Sequence, residues 1–303
     1  MTNHVKKTAL ALAGVMLLAS GCAASDPLAA ADPTDAAGSI TVGSANFPEN
    51  VILGEIYAKA LEDAGFNVER KLNIGAREVL YSQVENCTLG VVPEYNQALL
   101  SFVAADEQAS GTEAVDNALK EKLPSNLEIL GSSPAQDNNA VSVTAGTAEK
   151  YGLESIEDLA KVSSDLVIGG PTEWKTRHDG YAGLEKDYGI SFMEYKLLDY
   201  SGPITISALE KGDVDAALLF STTPQIQSMG FKVLEDPKRT VGVNNIVPLI
   251  CKEAVSDPAR EVLNAVGAAL TTDSLTEMNA AYVLDHRDAA EVASEWVGKQ
   301  DLK

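Results

Sequence analysis

Val84-Glu85-Asn86-Cys87-Thr88-Leu89-Gly90-Val91-Val92-Pro93-Glu94-Tyr95 and Leu209-Glu210-Lys211-Gly212-Asp213-Val214-Asp215-Ala216-Ala217-Leu218-Leu219-Phe220 share one plan: a helix end, a tight turn, an apolar strand, and an aromatic residue where the strand stops. A short apolar run bounded by turn residues reads as a strand covered on both faces, the pattern of parallel sheets in α/β proteins. Two such units in one chain predict two α/β lobes. Ligands of open α/β sheets gather outside the carboxyl ends of the strands, so Tyr95 and Phe220 are candidates to face a common cleft. The competing reading makes both of them core residues at strand ends.

Outward from these units, strand and helix signals alternate along the chain. Ile40-Thr41-Val42-Gly43 is a strand, followed by a helix from Pro48 with Ile52, Ile56 and Ala60 on one face and Gly65 as its stop. A strand near Val68 to Leu72, a helix from Ala76 and a buried strand from Leu89 to Val92 complete the first unit. In the second, Ala140 to Thr144, Leu166 to Gly170, Phe192 to Leu198 and Val214 to Phe220 read as strands, and Ser155-Ile156-Glu157-Asp158 as a capping-box helix start. Helices near Ala259 to Leu270, Ser274 to Leu284 and Asp288 to Val297 are expected to return to the first lobe. The fold class is therefore α/β with two lobes, 40–138 plus 245–303 and 139–244, each a mainly parallel sheet flanked by helices. Segments near Asp137 to Val143 and Val243 to Val247 form a two-segment hinge.

The N-terminus sets the compartment. Lys6 and Lys7 precede an apolar run from Ala9 to Leu18, the design of a secretory signal peptide over residues 1–21, and the run is too short to span a bilayer. Leu18-Ala19-Ser20-Gly21-Cys22 resembles a lipoprotein processing site with Cys22 as the lipidated residue; ordinary cleavage leaving a free Cys22 is the alternative. Residues 22–39, rich in Ala, Asp and Pro, read as a disordered tether. The protein is expected outside the cytoplasm, lipid-anchored to the outer face of the cell membrane. Its net charge of −21 argues against nucleic-acid partners. Cys87 and Cys251 flank two apolar runs that would bring them together as antiparallel neighbours, so they form a candidate disulfide; two buried thiols are the alternative.

Catalysis finds little support. His4, His178 and His286 have no metal-ligand spacing, and there is no phosphate-binding glycine loop, serine elbow or Cys/His pair. No enzyme activity, cofactor or metal is expected.

Gly43-Ser44-Ala45-Asn46-Phe47-Pro48-Glu49, Ile52-Leu53-Gly54-Glu55-Ile56-Tyr57, Glu69-Arg70-Lys71-Leu72, Pro93-Glu94-Tyr95, Arg177-His178-Asp179-Gly180-Tyr181-Ala182-Gly183-Leu184, Glu210-Lys211-Gly212-Asp213-Val214-Asp215 and Val233-Leu234-Glu235-Asp236 together resemble the glycine betaine, carnitine and choline binding proteins of ABC importers. The resemblance implies a two-lobed, periplasmic-binding-protein-like fold of type II and a monomer that hands a small-molecule solute to permease subunits. It also implies an aromatic cage, since a quaternary ammonium is held on ring faces, with donors for a carboxylate at the other end. By position it assigns Tyr95 and Phe220 to the cage, Asp137 to the cleft and Arg177 to the carboxylate, with Asn46 in the opening motif. Ala45 replaces a common lysine, and Asn139 and Asn245 stand at two further cage positions, which makes half the cage amide. That departure brings in a polyol or phenolic solute as the alternative ligand, beside a sensory lipoprotein as the alternative role. Asp137, Asn139 and Asn245 have a plainer reading as caps of hinge turns, and Arg177 as a surface partner of Asp179 or Glu173.

Overall fold

A computed structural model describes residues 38–107, 109 and 111–302. The expected signal peptide, the lipidation site Cys22 and nearly all of the tether lie outside the described residues.

The first sheet contains β1 (Ile40–Ala45), β2 (Val68–Gly75), β3 (Val91–Tyr95) and β4 (Leu127–Ile129). The second contains β5 (Asn139–Thr144), β6 (Val167–Gly170), β7 (Glu194–Leu197), β8 (Ala216–Phe220) and β9 (Phe231–Val233), and β10 (Ile246–Cys251) returns to the first. The spatial orders are β2-β1-β3-β10-β4 and β7-β6-β8-β5-β9. In each sheet one strand runs against the other four, and it is the strand that has just crossed from the other half: β10 in the first and β5 in the second. The central strands are covered on both faces, so every residue of β3 and of its antiparallel neighbour β10 is buried. Edge strand β2 is instead charged, and its Arg70 is clamped by Glu55 and Glu62.

β3 begins two residues later than the apolar run suggests and extends through Pro93-Glu94-Tyr95. Cys87 adopts a positive φ of 59° in the turn and the Leu89 N–H still bonds back to Gln83 O, so the strand starts only after Gly90, whose N–H donates to Thr41 O of β1. Proline can enter this central strand because Pro93 stands opposite Pro248 of β10, where neither residue is asked for an N–H.

The helix Pro48–Asp63 takes Pro48 into its first turn and buries Ile52, Leu53, Ile56, Tyr57 and Leu61. Helices Asp257–Ala269, Thr272–Val283 and Ala289–Val297 bring Leu263, Leu275, Val292 and Trp296 into the same core, which fixes the chain's last third on the first sheet. A separate core gathers Val141, Ile168, Trp174, Leu184 and Leu218 around the second sheet. The helix at Ile156–Ala160 starts with the expected capping box, Ser155 and Asp158 bonding each other's backbone.

The two crossing segments lie side by side. Gln136 bridges Asn245, the Asp137 N–H donates to Asn244 O at 2.9 Å, and the Asn244 N–H donates to Asn138 Oδ1 at 2.7 Å. Cys87 and Cys251 are joined as a disulfide, with Cα atoms 5.4 Å apart and a sequence separation of 164. Closing so long a loop restricts the unfolded chain strongly. Replacing both cysteines with alanine is expected to lower the unfolding free energy by about 2 to 5 kcal/mol, read from urea titrations of the two proteins.

Candidate functional site

The carboxyl ends of the parallel strands from both sheets meet at one interlobe cavity. From the first sheet, β1 delivers Asn46 and Phe47, the turn after β2 delivers Arg77, and β3 delivers Glu94 and Tyr95. From the second, the loop after β6 delivers Trp174, Arg177 and Asp179, β7 leads to Tyr200, and β8 ends in Phe220. The crossing segments supply Asp137, Asn139 and Asn244 as the floor.

The loop from Trp174 to Gly183 holds its shape by folding back on itself. The Tyr181 N–H donates to Trp174 O at 2.9 Å. A Cβ on Gly180 would collide with that carbonyl and one on Gly183 with His178 O, so the two glycines are set by close approach and not by backbone angle. The same fold-back turns Trp174, Arg177 and Asp179 towards the gap.

Four rings form one wall of the cavity. Phe47 lies 5.0 Å from Phe220, 6.0 Å from Tyr95 and 6.3 Å from Tyr200 between centroids, and Tyr200 stacks on Phe220 at 6.2 Å and 17°. Rings this close touch each other, so they offer a shared face to a cation and do not sandwich it; a cation held between two rings needs each centroid up to about 6 Å away on opposite sides.

The opposite end is polar. Arg77 donates to Glu94 through Nε and Nη2 at 2.9 to 3.0 Å in a deeply buried pair. Burial works against the Arg77 charge, but Glu94 beside it outweighs that and holds the guanidinium protonated. Arg177 reaches across the gap to Glu78 at 2.7 Å through Nη2. Among the described residues, Trp174 Nε1, Arg177 Nε, Asp179 Oδ1 and Tyr200 OH are buried without a hydrogen-bond partner, and all four belong to residues lining this cavity. Burial pushes the Tyr200 phenol up to about 12, which keeps its proton available for donation.

Beneath the aromatic wall, Glu49 is a buried carboxylate that joins separate parts of the chain. It accepts from Tyr95 OH at 2.8 Å, from Thr222 Oγ1 at the end of the second sheet, and from Asn279 Nδ2 at 2.7 Å in a C-terminal helix. Asp137 lies next to it on the crossing segment and accepts from the Thr222 N–H at 3.1 Å and Ser221 Oγ at 3.2 Å. Burial raises the pKa of both acids, and the neighbouring Glu49 charge pushes Asp137 higher still.

Of the residues singled out in the sequence, Asn46, Tyr95, Asp137, Asn139, Arg177 and Phe220 line the cavity. Asn245 does not. Its Nδ2 donates to Ser133 O at 2.9 Å and its Oδ1 accepts from Thr112 Oγ1 at 2.7 Å, so the side chain braces the returning strand, and its neighbour Asn244 takes the place on the floor. Asn139 spends its amide on Asp179 O at 3.0 Å. Asn245 is therefore corrected as a lining residue, while Asn139 and Asn244 keep amides on the cavity beside an aromatic wall to which Phe47 and Tyr200 add rings. Arg177 pairs with neither Asp179 nor Glu173 but with Glu78 of the first lobe. Phe47 sat inside the quoted opening motif, and its position one residue before a proline-started helix was the available signal; Tyr200 and Trp174, in irregular loops, left none.

The model of the family described as the substrate-binding domain of ABC-type glycine betaine transport systems matches residues 38–299. The chain is 25% identical over 279 residues to the glycine betaine-binding protein YehZ of Escherichia coli (strain K12), covering 88% of this chain and 92% of that one. It is 24% identical over 304 residues to the carnitine transport binding protein OpuCC of Listeria monocytogenes serotype 1/2a (strain 10403S), covering 98% of each. A crystal structure of a glycine betaine/carnitine/choline ABC transporter protein superposes with a TM-score of 0.67 at 23% identity, over 86% of this chain and 98% of that one, and shares the two-lobed fold.

The raised carboxyls give a pH signature. Between the ordinary carboxyl range near pH 4 and their raised folded values, the folded chain keeps protons that the unfolded chain has released. This contribution to stability therefore grows as pH falls through that window and is lost as pH rises above it. Thermal melts are expected to show the wild type losing more stability than Asp137→Asn as pH rises above the ordinary carboxyl range; parallel profiles for the two proteins would contradict the assignment.

Proposed function

Because the chain belongs to the family of substrate-binding domains of ABC-type glycine betaine transport systems, we propose that it captures a compatible solute of the glycine betaine, choline or carnitine type between its lobes and delivers it to the permease of an ABC importer. One observation carries this reading: a single cavity combines an aromatic wall with buried donors that have no partner. A quaternary ammonium cannot donate a hydrogen bond and is attracted to ring faces, each contact contributing about 0.5 to 2 kcal/mol. Phe47, Tyr95, Tyr200 and Phe220 supply those faces. Arg177 Nε, Trp174 Nε1 and the Tyr200 hydroxyl supply donors for a carboxylate, which charge-assisted bonds favour.

Residues 40–138 with 245–303 and residues 139–244 act as the two lobes, and the paired crossing segments as their hinge. In this reading the protein acts as a monomer. The role is binding without turnover. Cys22, behind its apolar leader, anchors the protein to the outer face of the membrane by lipid, and the Cys87–Cys251 bond fits an oxidising compartment. The polyol or phenolic alternative drew on two amides in the cage; Asn245 lies elsewhere, and Asn139 remains on the cavity with its Nδ2 donated to Asp179 O.

A thermal-shift screen with glycine betaine, choline and carnitine tests the reading. A ligand at about 100 times its dissociation constant should add about 2.7 kcal/mol of stability, and Phe220→Ala should weaken binding by roughly 2- to 30-fold through loss of one ring. No shift with any quaternary amine would sink the proposal. For the anchor, Cys22→Ala is expected to move the protein from the membrane fraction to the soluble one.

A further inference from the structure

Resting on the betaine-type reading above, the geometry points to a ligand that carries an O–H or N–H donor beside its carboxylate, with Asp179 as the residue that reads it. Asp179 is 3% exposed, and its Oδ1 has no hydrogen-bond partner although two guanidinium groups act on it. Both arginines are engaged elsewhere, Arg77 on Glu94 and Arg177 Nη2 on Glu78. Oδ2 has only a long contact of 3.5 Å from Asn139 Nδ2. Burial raises the Asp179 pKa, and the two guanidinium charges draw it back towards the ionised form.

The three bare groups beside it, Trp174 Nε1, Arg177 Nε and Tyr200 OH, account for a carboxylate and leave Asp179 Oδ1 unanswered. A trimethylammonium group does not answer it, because that group has no hydrogen to donate. Its place is the aromatic wall. A neutral hydroxyl or ring N–H satisfies the oxygen without adding charge, and a buried acceptor left bare by a ligand that lacks the donor is a strong source of discrimination.

Carnitine and 4-trimethylammoniobutanoate differ by one hydroxyl and make the test. Titration calorimetry on the full chain is expected to give carnitine an affinity at least ~10-fold higher. In Asp179→Ala that ratio should fall below about 3-fold, whatever the change in the absolute affinity for either compound. Equal affinities in the wild type, or a ratio that survives in Asp179→Ala, would overturn the inference and leave the betaine reading standing; the wild-type comparison stands by itself if the variant does not fold. Binding of neither compound would remove both.

Discussion

A carboxylate sealed from water has to be given donors, and Glu49 obtains its three from the first sheet, the tip of the second sheet and a C-terminal helix. No local piece of chain can satisfy it. The arrangement persists only when Tyr95, Thr222 and Asn279 converge, and Asp137 on the crossing segment is held to Thr222 as well. This buried acid therefore ties the relative placement of the lobes to the posture of a tyrosine that also faces the cavity. Removing one partner from such a cluster leaves charge or lone pairs uncompensated, a cost that falls on the geometry of the site before it falls on either core.

The cavity is divided by chemistry. One end is ring surface, and the other is a field of two arginines, two of their acid partners and a further carboxylate. Tyr200 belongs to both, its ring stacked on Phe220 and its hydroxyl near Arg77 and Arg177. A ligand lying across this boundary needs opposite character at its two ends and a length that lets both be satisfied together. The lobes divide the work too: Phe47 and Tyr95 come from one, Tyr200 and Phe220 from the other, so the aromatic wall is whole only when the lobes are together.

The duplicated strand units were legible because a buried strand is a run of apolar residues and a turn needs particular residues, and both signals are local. They placed Tyr95 and Phe220 at matched strand tips. The helix at Pro48 and the returning helices were readable for the same reason, and the alignment of motifs reached Arg177 and Asp137. What escaped depended on the path of irregular chain: Trp174 and Tyr200 lie in loops whose course is decided by glycine close approaches and by Asp199 capping the following helix. The choice between Asn244 and Asn245 turned on one residue of register at the end of β10, where adjacent side chains face opposite ways. No local pattern distinguishes an asparagine that floors a cavity from one that braces a strand.

The bond between Cys87 and Cys251 encloses almost the whole of the second sheet and both crossing segments in one covalent ring. A protease that cuts once anywhere inside that ring produces two termini but not two molecules. Each fragment stays within reach of the other at a fixed point beside β3, so rejoining is unimolecular and independent of protein concentration. Tolerance of a single nick is thus a property of the chain's topology as much as of its stability.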